Sequence, residues 1–451
     1  MPRHTADRAG VLALCILLLV AFACGGGGSR YGLANLVVQL AAIAVLALRY
    51  GAAKQFLRDS PWMLRGLIGL TLLLPLAQVV PLPEHLWSAL PGHDLVTRAY
   101  DAAGEAGWMT WSVNPWRTAL ALTATVTPLA VLVGGWTMPR HHLLLVGWMA
   151  VALGIVTVLM GLVQLNPAGD NFALFEVREP GEYLLGTFAN RNSTGLFLGF
   201  CVGLACLLPA PRPHPAVPWL RLALGLLLVA GVVLTKSRTG LALAAIPLGL
   251  AALRGIGWLR EQRTAARSDR QGGGGAVLGT LGALVLGVAV IGGLFVLAPG
   301  RVGETLERFQ AKDDPRRFIW EDALFAGERY WPAGAGIGTF DEVFQIDESL
   351  ENVTLRTAGR AHNDYLELVM EAGLPGLVLA ALWLAGCLAL AWRARRSQLA
   401  WPGWAGGGFL LAIALQSITD YPLRNQTILA FAGLALLLLA RAGANRRGEG
   451  Q

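Results

Sequence analysis

Charge is what this sequence has least of. Only 14% of its 451 residues are Asp, Glu, Lys or Arg, against about 25% in a soluble domain. That scarcity excludes an ordinary globular enzyme carried on a membrane anchor. Cysteine is sparse too: Cys15, Cys24, Cys201, Cys206 and Cys387 are all there are. Each lies in or beside an apolar stretch and none shows metal-ligand spacing, so they read as free, small apolar side chains. The glycines at 272–275 have no Lys-Ser/Thr after them, which makes them a flexible linker and not a phosphate loop. GAGIGTF at 334–340 follows no strand and opens no helix, so it reads as a tight backbone turn. No His/Asp/Glu cluster has metal spacing, and neither a metal nor a cofactor is expected.

Apolar residues fill the space that charge leaves, at 55% of the chain. Runs near the length of a bilayer crossing recur from end to end. The pattern predicts an all-α polytopic membrane protein of about twelve helices: 11–27, 33–50, 64–80, 120–138, 143–165, 194–208, 220–234, 241–253, 276–298, 365–392, 403–419 and 428–440. Nine spans in 1–298 form the first part of the bundle, 299–361 is one larger helical loop, and 362–451 carries the last three spans. Short basic loops at 49–65, 254–270 and 393–396 fall on one side, which places both termini in the cytoplasm. The net charge of +7 is therefore mostly topology, and no nucleic-acid partner is expected. Ala21-Phe22-Ala23 has the look of a signal-peptide cleavage site and Cys24 that of a lipoprotein cysteine. Phe22 suits a lipobox poorly, so the segment reads as a retained first span.

Polar residues inside the first spans, Asn35, Gln39 and Gln78, read as interhelical hydrogen bonds. The first outside loop, 81–117, holds Trp87, Trp108, Trp111 and Trp116, either an interfacial aromatic belt or a lipid- or sugar-facing surface. Arg191 sits between Asn190 and Asn192 at the start of the sixth span, as a snorkelling anchor or as part of a polar binding cluster. Asn192-Ser193-Thr194 is a glycosylation sequon too close to a span to weigh. TKSRTG at 235–240 is a tight outside turn. It puts Lys236 and Arg238 on the face where short loops avoid cations. In the large loop, 301–309 forms a short helix, and a second begins at DDPRRFIW, capped by Asp313 or Asp314 with Pro315 in its first turn. Arg316 and Trp320 share a face of it, while Arg317 points elsewhere. His362, Asn363, Asp364 and Tyr365 stand at the mouth of the tenth span. Asp364, Glu367 and Glu371 make an acidic stripe that either supplies a base or neutralises nearby arginines. In TDYPLRNQ, Asp420 and Arg424 pair with each other, or Arg424 joins the cationic cluster.

Together, SRTG in an outside turn, R-x-x-x-W in the large loop and HNDYLELVMEAGLPG at the next span resemble the O-antigen ligase/polymerase superfamily. GTFANRNSTG, SVNPWRT and DYPLR are similar to its exopolysaccharide and O-antigen polymerase members. The resemblance implies an inverting, metal-independent glycosyltransferase of the bacterial inner membrane, active on the periplasmic face. Its donor would be a glycan on undecaprenyl pyrophosphate. A ligase passes the glycan to lipid A core and a polymerase to another lipid-linked repeat; a chain-length regulator is a further partner the resemblance allows. A protein-modifying branch has a longer chain than this one. By position, the turn arginine of the family falls on Arg238, the loop-helix arginine on Arg316 with Arg317 beside it, and the histidine on His362.

These residue types suit that chemistry. A diphosphate leaving group gains negative charge as the sugar–oxygen bond breaks. Guanidinium groups absorb it well, being always charged and able to fork two hydrogen bonds onto phosphate. A sugar hydroxyl is a poor nucleophile, and His362 is a base of suitable ordinary pKa, with Asp364 and Glu367 as rivals. Alternatively, His362 donates to the diphosphate. A transporter or flippase for a lipid-linked sugar is the rival function, but it calls for ionisable groups at mid-membrane, and these spans have almost none.

Overall fold

A computed structural model describes residues 2–105, 107–166, 172–176, 181–210, 217–268, 316–351, 353 and 358–444. The described chain is mostly helical. Its first part runs through α1 (Pro2–Cys24), α2 (Gly32–Leu48), α3 (Tyr50–Asp59), α4 (Trp62–Gln78), α5 (Glu84–Trp87), α6 (Asp94–Ala103), α7 (Pro115–Ala124), α8 (Val126–Gly135) and α9 (Arg140–Gln164). Next come α10 (Arg191–Leu207), α11 (Val217–Leu234), α12 (Arg238–Leu243) and α13 (Ala245–Ser268). The last part holds α14 (Arg316–Tyr330), α15 (Phe340–Asp347), α16 (Asp364–Ala394), α17 (Ala400–Gln416) and α18 (Gln426–Ala444). Two short strands, β1 (Pro81–Leu82) and β2 (Met109–Thr110), pair antiparallel with Pro81 opposite Thr110.

Seven described helices are long and apolar enough to cross a membrane, or eight if α2 and α3, bent by 76° at Arg49, count as one. The expected twelve are not reached among the described residues. The reasons are local. The predicted span 276–298 and the predicted helix 301–309 lie outside the described residues, as do Asp313, Asp314, Pro315 and the 272–275 linker. Helices α4, α10 and α17 coincide with predicted spans but have only 17 residues each, about 25 Å of rise against a 30 Å hydrocarbon core. The fourth span begins earlier than expected, because Asn114 caps α7 by accepting from the Arg117 amide and Pro115 fills the first turn.

The bundle is organised on α18, which packs against α1, α8, α16 and α17. In its most apolar stretch 78% of residues are buried, so it is a core helix with little lipid contact. Helix α10 takes a similar place between α9, α11, α13 and α17. Phe200 of α10 stacks on Phe409 of α17 at 4.2 Å, and Phe197 meets Phe431 of α18 at 4.8 Å. Outside the bundle a small second core forms from Ala323, Tyr330, Phe340 and Phe344, closed by Met370 of α16 and Val113 of the first loop. Two of the four loop tryptophans turn inward: Trp87 donates to the Gly107 carbonyl and Trp111 to that of Gly334. Trp108 and Trp116 are exposed.

The two ends of the bundle differ in chemistry. At one end arginines serve as caps for helix C-termini: Arg49 donates to the Gly134 carbonyl and Thr137, and Arg441 to the Trp136 carbonyl. Carboxylates, amides and cations mix at the other end, where α1, α11 and α17 finish and α10, α16 and α18 begin.

Candidate active site

The site grows from how α16 starts. Asn363 caps it, its Oδ1 accepting from the Tyr365 and Leu366 amides. The helix then points Asp364, Glu367 and Glu371 inward, all three buried, at the spacing that puts them on one stripe. Arg424, at the end of the 3-10 turn Pro422–Arg424, fills the gap among them. Its Nη2 lies 2.7 Å from Glu371 Oε2 and 3.1 Å from Glu367 Oε2, and its Nε 3.9 Å from Asp364 Oδ1. Burial works against the Arg424 charge, but the three carboxylates outweigh it and raise the guanidinium above its ordinary value. Arg360 adds a second cation at 3.1 Å from Glu367, and Ser417 donates to Asp364 at 2.8 Å. Arg424 therefore pairs with the acidic stripe and not with Asp420, because α16 presents three anions where the turn offers one.

Asp420 is engaged elsewhere. Its Oδ2 accepts from Asn190 at 3.0 Å and Asn192 at 2.7 Å. Its Oδ1 lies 3.5 Å from His362 Nδ1, and among the described residues neither of those two buried atoms has another hydrogen-bond partner. Burial raises the Asp420 carboxyl, but His362, Asn192 and Arg316 together hold it below the ordinary carboxylate value. Arg316 approaches through the carbonyl of the preceding residue, donating from Nη1 to Thr419 at 2.6 Å. Trp320, one turn on, donates to the Ala361 carbonyl at 2.8 Å. The shared face of Arg316 and Trp320 thus docks on the turn beside His362. Arg317 faces away, 81% exposed and paired with Glu321.

On the far side, Asn192 Oδ1 accepts from Ser237 Oγ at 2.7 Å. Ser237 also caps α12, accepting from the Gly240 amide, so Arg238 stands in the first turn of a helix and not in a loop. The six-residue turn expected at 235–240 is shorter for that reason. Lys236 is 4% exposed and 3.4 Å from Glu182. Arg191 lies over the Tyr183 ring at 4.5 Å, with Lys236 at 5.9 Å from the same ring. Asn192, buried in α10, has both side-chain ends in hydrogen bonds and does not present itself as a sequon.

A continuous set of contacts thus runs from Arg238 through its neighbour Ser237 to Asn192, Asp420 and His362, with Arg316 joined at Thr419. Two of the predicted residues stand apart from it: Arg317 faces away, and the Tyr365 hydroxyl turns into the bundle to the Ala414 carbonyl. Among the described residues, the non-glycine positions with positive φ are Lys236 at +51° and His362 at +52°. Such residues are uncommon and gather where function constrains the backbone; both lie here. Arg360, Ser417 and Glu182 were not legible in advance, since no spacing ties them to the motifs. Among the described residues no group of three or more His, Cys, Asp or Glu is placed to hold a metal ion.

A family model described as O-antigen ligase matches residues 223–381. No curated protein matches the chain. The matched segment contains Arg238, Arg316 and His362 as well as the acidic stripe. Over that segment the chain is similar to the O-antigen ligase/polymerase superfamily.

Proposed function

We propose that the protein is an inverting glycosyltransferase that moves a glycan from undecaprenyl pyrophosphate to a sugar hydroxyl on the periplasmic face, as a polymerase of lipid-linked repeats. The observation that carries this reading is the set of contacts that links Ser237, next to Arg238, through Asn192 and Asp420 to His362, with Arg316 on the adjoining Thr419 carbonyl. In the reaction the acceptor oxygen forms a bond to the anomeric carbon from the face opposite the diphosphate. The carbon–oxygen bond to phosphate breaks and its electron pair leaves with the diphosphate. Arg238 and Arg316 stabilise that developing charge, with Arg191 and Lys236 extending the cationic wall. With Asp420 opposite Nδ1, the imidazole keeps its proton on Nδ1 and its lone pair on Nε2. His362 then takes the acceptor proton, and the carboxylate stabilises the imidazolium.

Asp364 and Glu367 are poorer bases in this arrangement, because Arg424, Arg360 and Ser417 already occupy them. A small apolar pocket lined by Gly195, Gly199, Phe200, Pro247 and Phe409 opens beside Gly240. Its apolar lining suits contact with a short length of the donor's isoprenoid chain, and the cationic chemistry proposed here needs no metal.

Two segments whose resemblance is to polymerases, GTFANRN and TDYPLR, meet at the Asn190, Asn192 and Asp420 contacts. Ligation to lipid A core is the second reading, favoured by the description of the family model. The surface glycan of a deletion strain separates them on a gel. Single repeats on their final acceptor mean polymerase, and long chains stranded on the carrier mean ligase. Flipping of labelled lipid-linked sugar in liposomes, without transfer, would point to the transporter instead.

A further inference from the structure

The opposite end of the bundle holds a pair of guanidinium groups that the proposed reaction does not use. Helix α10 ends there, and two arginines cap the same two carbonyls. Arg221 donates to Cys206 at 3.1 Å and to Leu208 at 2.5 Å. Arg254 donates to Cys206 at 2.9 Å and reaches Leu208 at 3.5 Å. One arginine would suffice: Arg221 alone serves both carbonyls, and the C-terminus of a helix carries only about half a negative charge. Two full positive charges on that terminus leave a surplus of more than one. Among the described residues no carboxylate lies within salt-bridge distance of either arginine. Arg221 Nε is buried without a hydrogen-bond partner. Among the described residues Arg254 bonds through Nη1 alone, although a guanidinium has five N–H donors.

Half-buried charge of this kind calls for an anion, and the surroundings say which. Arg221 and Arg254 belong to helices apolar and long enough to cross a membrane. The side chains flanking them, Leu220, Leu253 and Ile256, are exposed and apolar, and Trp401 sits 5.9 Å from Arg254 as interfacial tryptophans do. A small soluble anion would gain nothing from that apolar rim, whereas a phospholipid covers it with acyl chain. We propose that Arg221 and Arg254 form a binding site for the phosphate of an anionic phospholipid, at the membrane face opposite the candidate active site. Arg254 is the specific element, because its capping role is redundant.

Native mass spectrometry of the purified full-length protein, released from bilayers of equal phosphatidylglycerol and phosphatidylcholine, tests this. The wild type is expected to retain phosphatidylglycerol preferentially. Arg254→Gln, which leaves the Arg221 caps in place, is expected to lower that preference about fivefold, the worth of one basic residue at a charged membrane surface. Arg221→Gln/Arg254→Gln should abolish it if that variant folds, and the single variant decides alone if it does not. Arg49→Gln removes a capping arginine elsewhere at the same end and should leave the preference intact. The proposal is overturned by an unchanged preference in Arg254→Gln, by an equal loss in Arg49→Gln, or by displacement of the lipid with excess inorganic phosphate.

Discussion

Asp420 draws together groups from three distant parts of the chain: His362, the Asn190 and Asn192 amides, and Arg316 through the adjacent carbonyl. An Asp420→Asn side chain is nearly the same size, but it can turn an N–H toward His362 Nδ1. That would move the imidazole proton to Nε2 and remove the lone pair that accepts from the acceptor hydroxyl. Transfer by Asp420→Asn is expected to fall about 10²–10⁴-fold in kcat with KM little changed, as measured with purified lipid-linked substrate. A fall confined to KM would assign Asp420 to substrate binding instead.

The pH dependence of stability follows from the same residue. Its folded-state carboxyl sits below the ordinary 3.8. The stability it contributes is therefore fully present above 3.8 and is lost only as pH falls through the lower folded value. The gap in thermal unfolding temperature between wild type and Asp420→Asn should not narrow from neutral pH to about pH 5, and should close only below the ordinary carboxylate range. A gap that closes between pH 7 and 5 would contradict the assignment.

Helix α16 is the element that sets the site, and it is two helical pieces. Gly373 breaks it with φ +53°, where the turn at 332–336 crosses. The Leu374 amide bonds the Pro332 carbonyl, and the Gly336 and Ala335 amides bond the Glu371 and Met370 carbonyls. A Cβ on Gly373 would collide with the Pro332 carbonyl. Gly373→Ala should destabilise the protein by about 2 kcal/mol or more, combining left-handed strain with displaced backbone, read as a lower unfolding temperature in detergent.

Arg424 belongs to the same element-scale argument. Removing it as Arg424→Gln leaves three buried carboxylates with too little positive charge, at a cost of about 3–5 kcal/mol. Poor folding of this variant is the expected outcome; a well-folded, inactive variant would return Arg424 to the substrate. At this scale the sequence was readable where periodicity governs. The stripe of Asp364, Glu367 and Glu371 and the split between Arg316 and Arg317 follow from local spacing. The glycine segment at 334–338 is a turn as expected, but contrary to expectation it opens a helix, α15 from Phe340, because Thr339 stands at its N-cap. The partner of Arg424 did not, since competition among four carboxylates is settled by packing between segments.

Across the whole molecule, amides and carboxylates collect at one end and arginine caps at the other. Most helix positions were legible from hydropathy, because apolar length is a property of each segment alone. Crossing status was less so, since a bend at Arg49 and 17-residue helices depend on neighbours. The proposed topology makes an accessibility prediction. In intact cells a membrane-impermeant maleimide should label Gly359→Cys, beside the candidate site, but not Arg396→Cys, between α16 and α17 at the other end. The reverse pattern would place the site in the cytoplasm.

The most direct measurement is glycan transfer in vitro by purified Arg238→Ala and Arg316→Ala proteins whose unfolding temperatures match the wild type. Both should lose transfer, and Arg238→Lys should be impaired too, because an ammonium cannot fork onto a diphosphate. Wild-type rates in Arg238→Ala would show that the diphosphate is not held at this turn, and the proposed mechanism would fail.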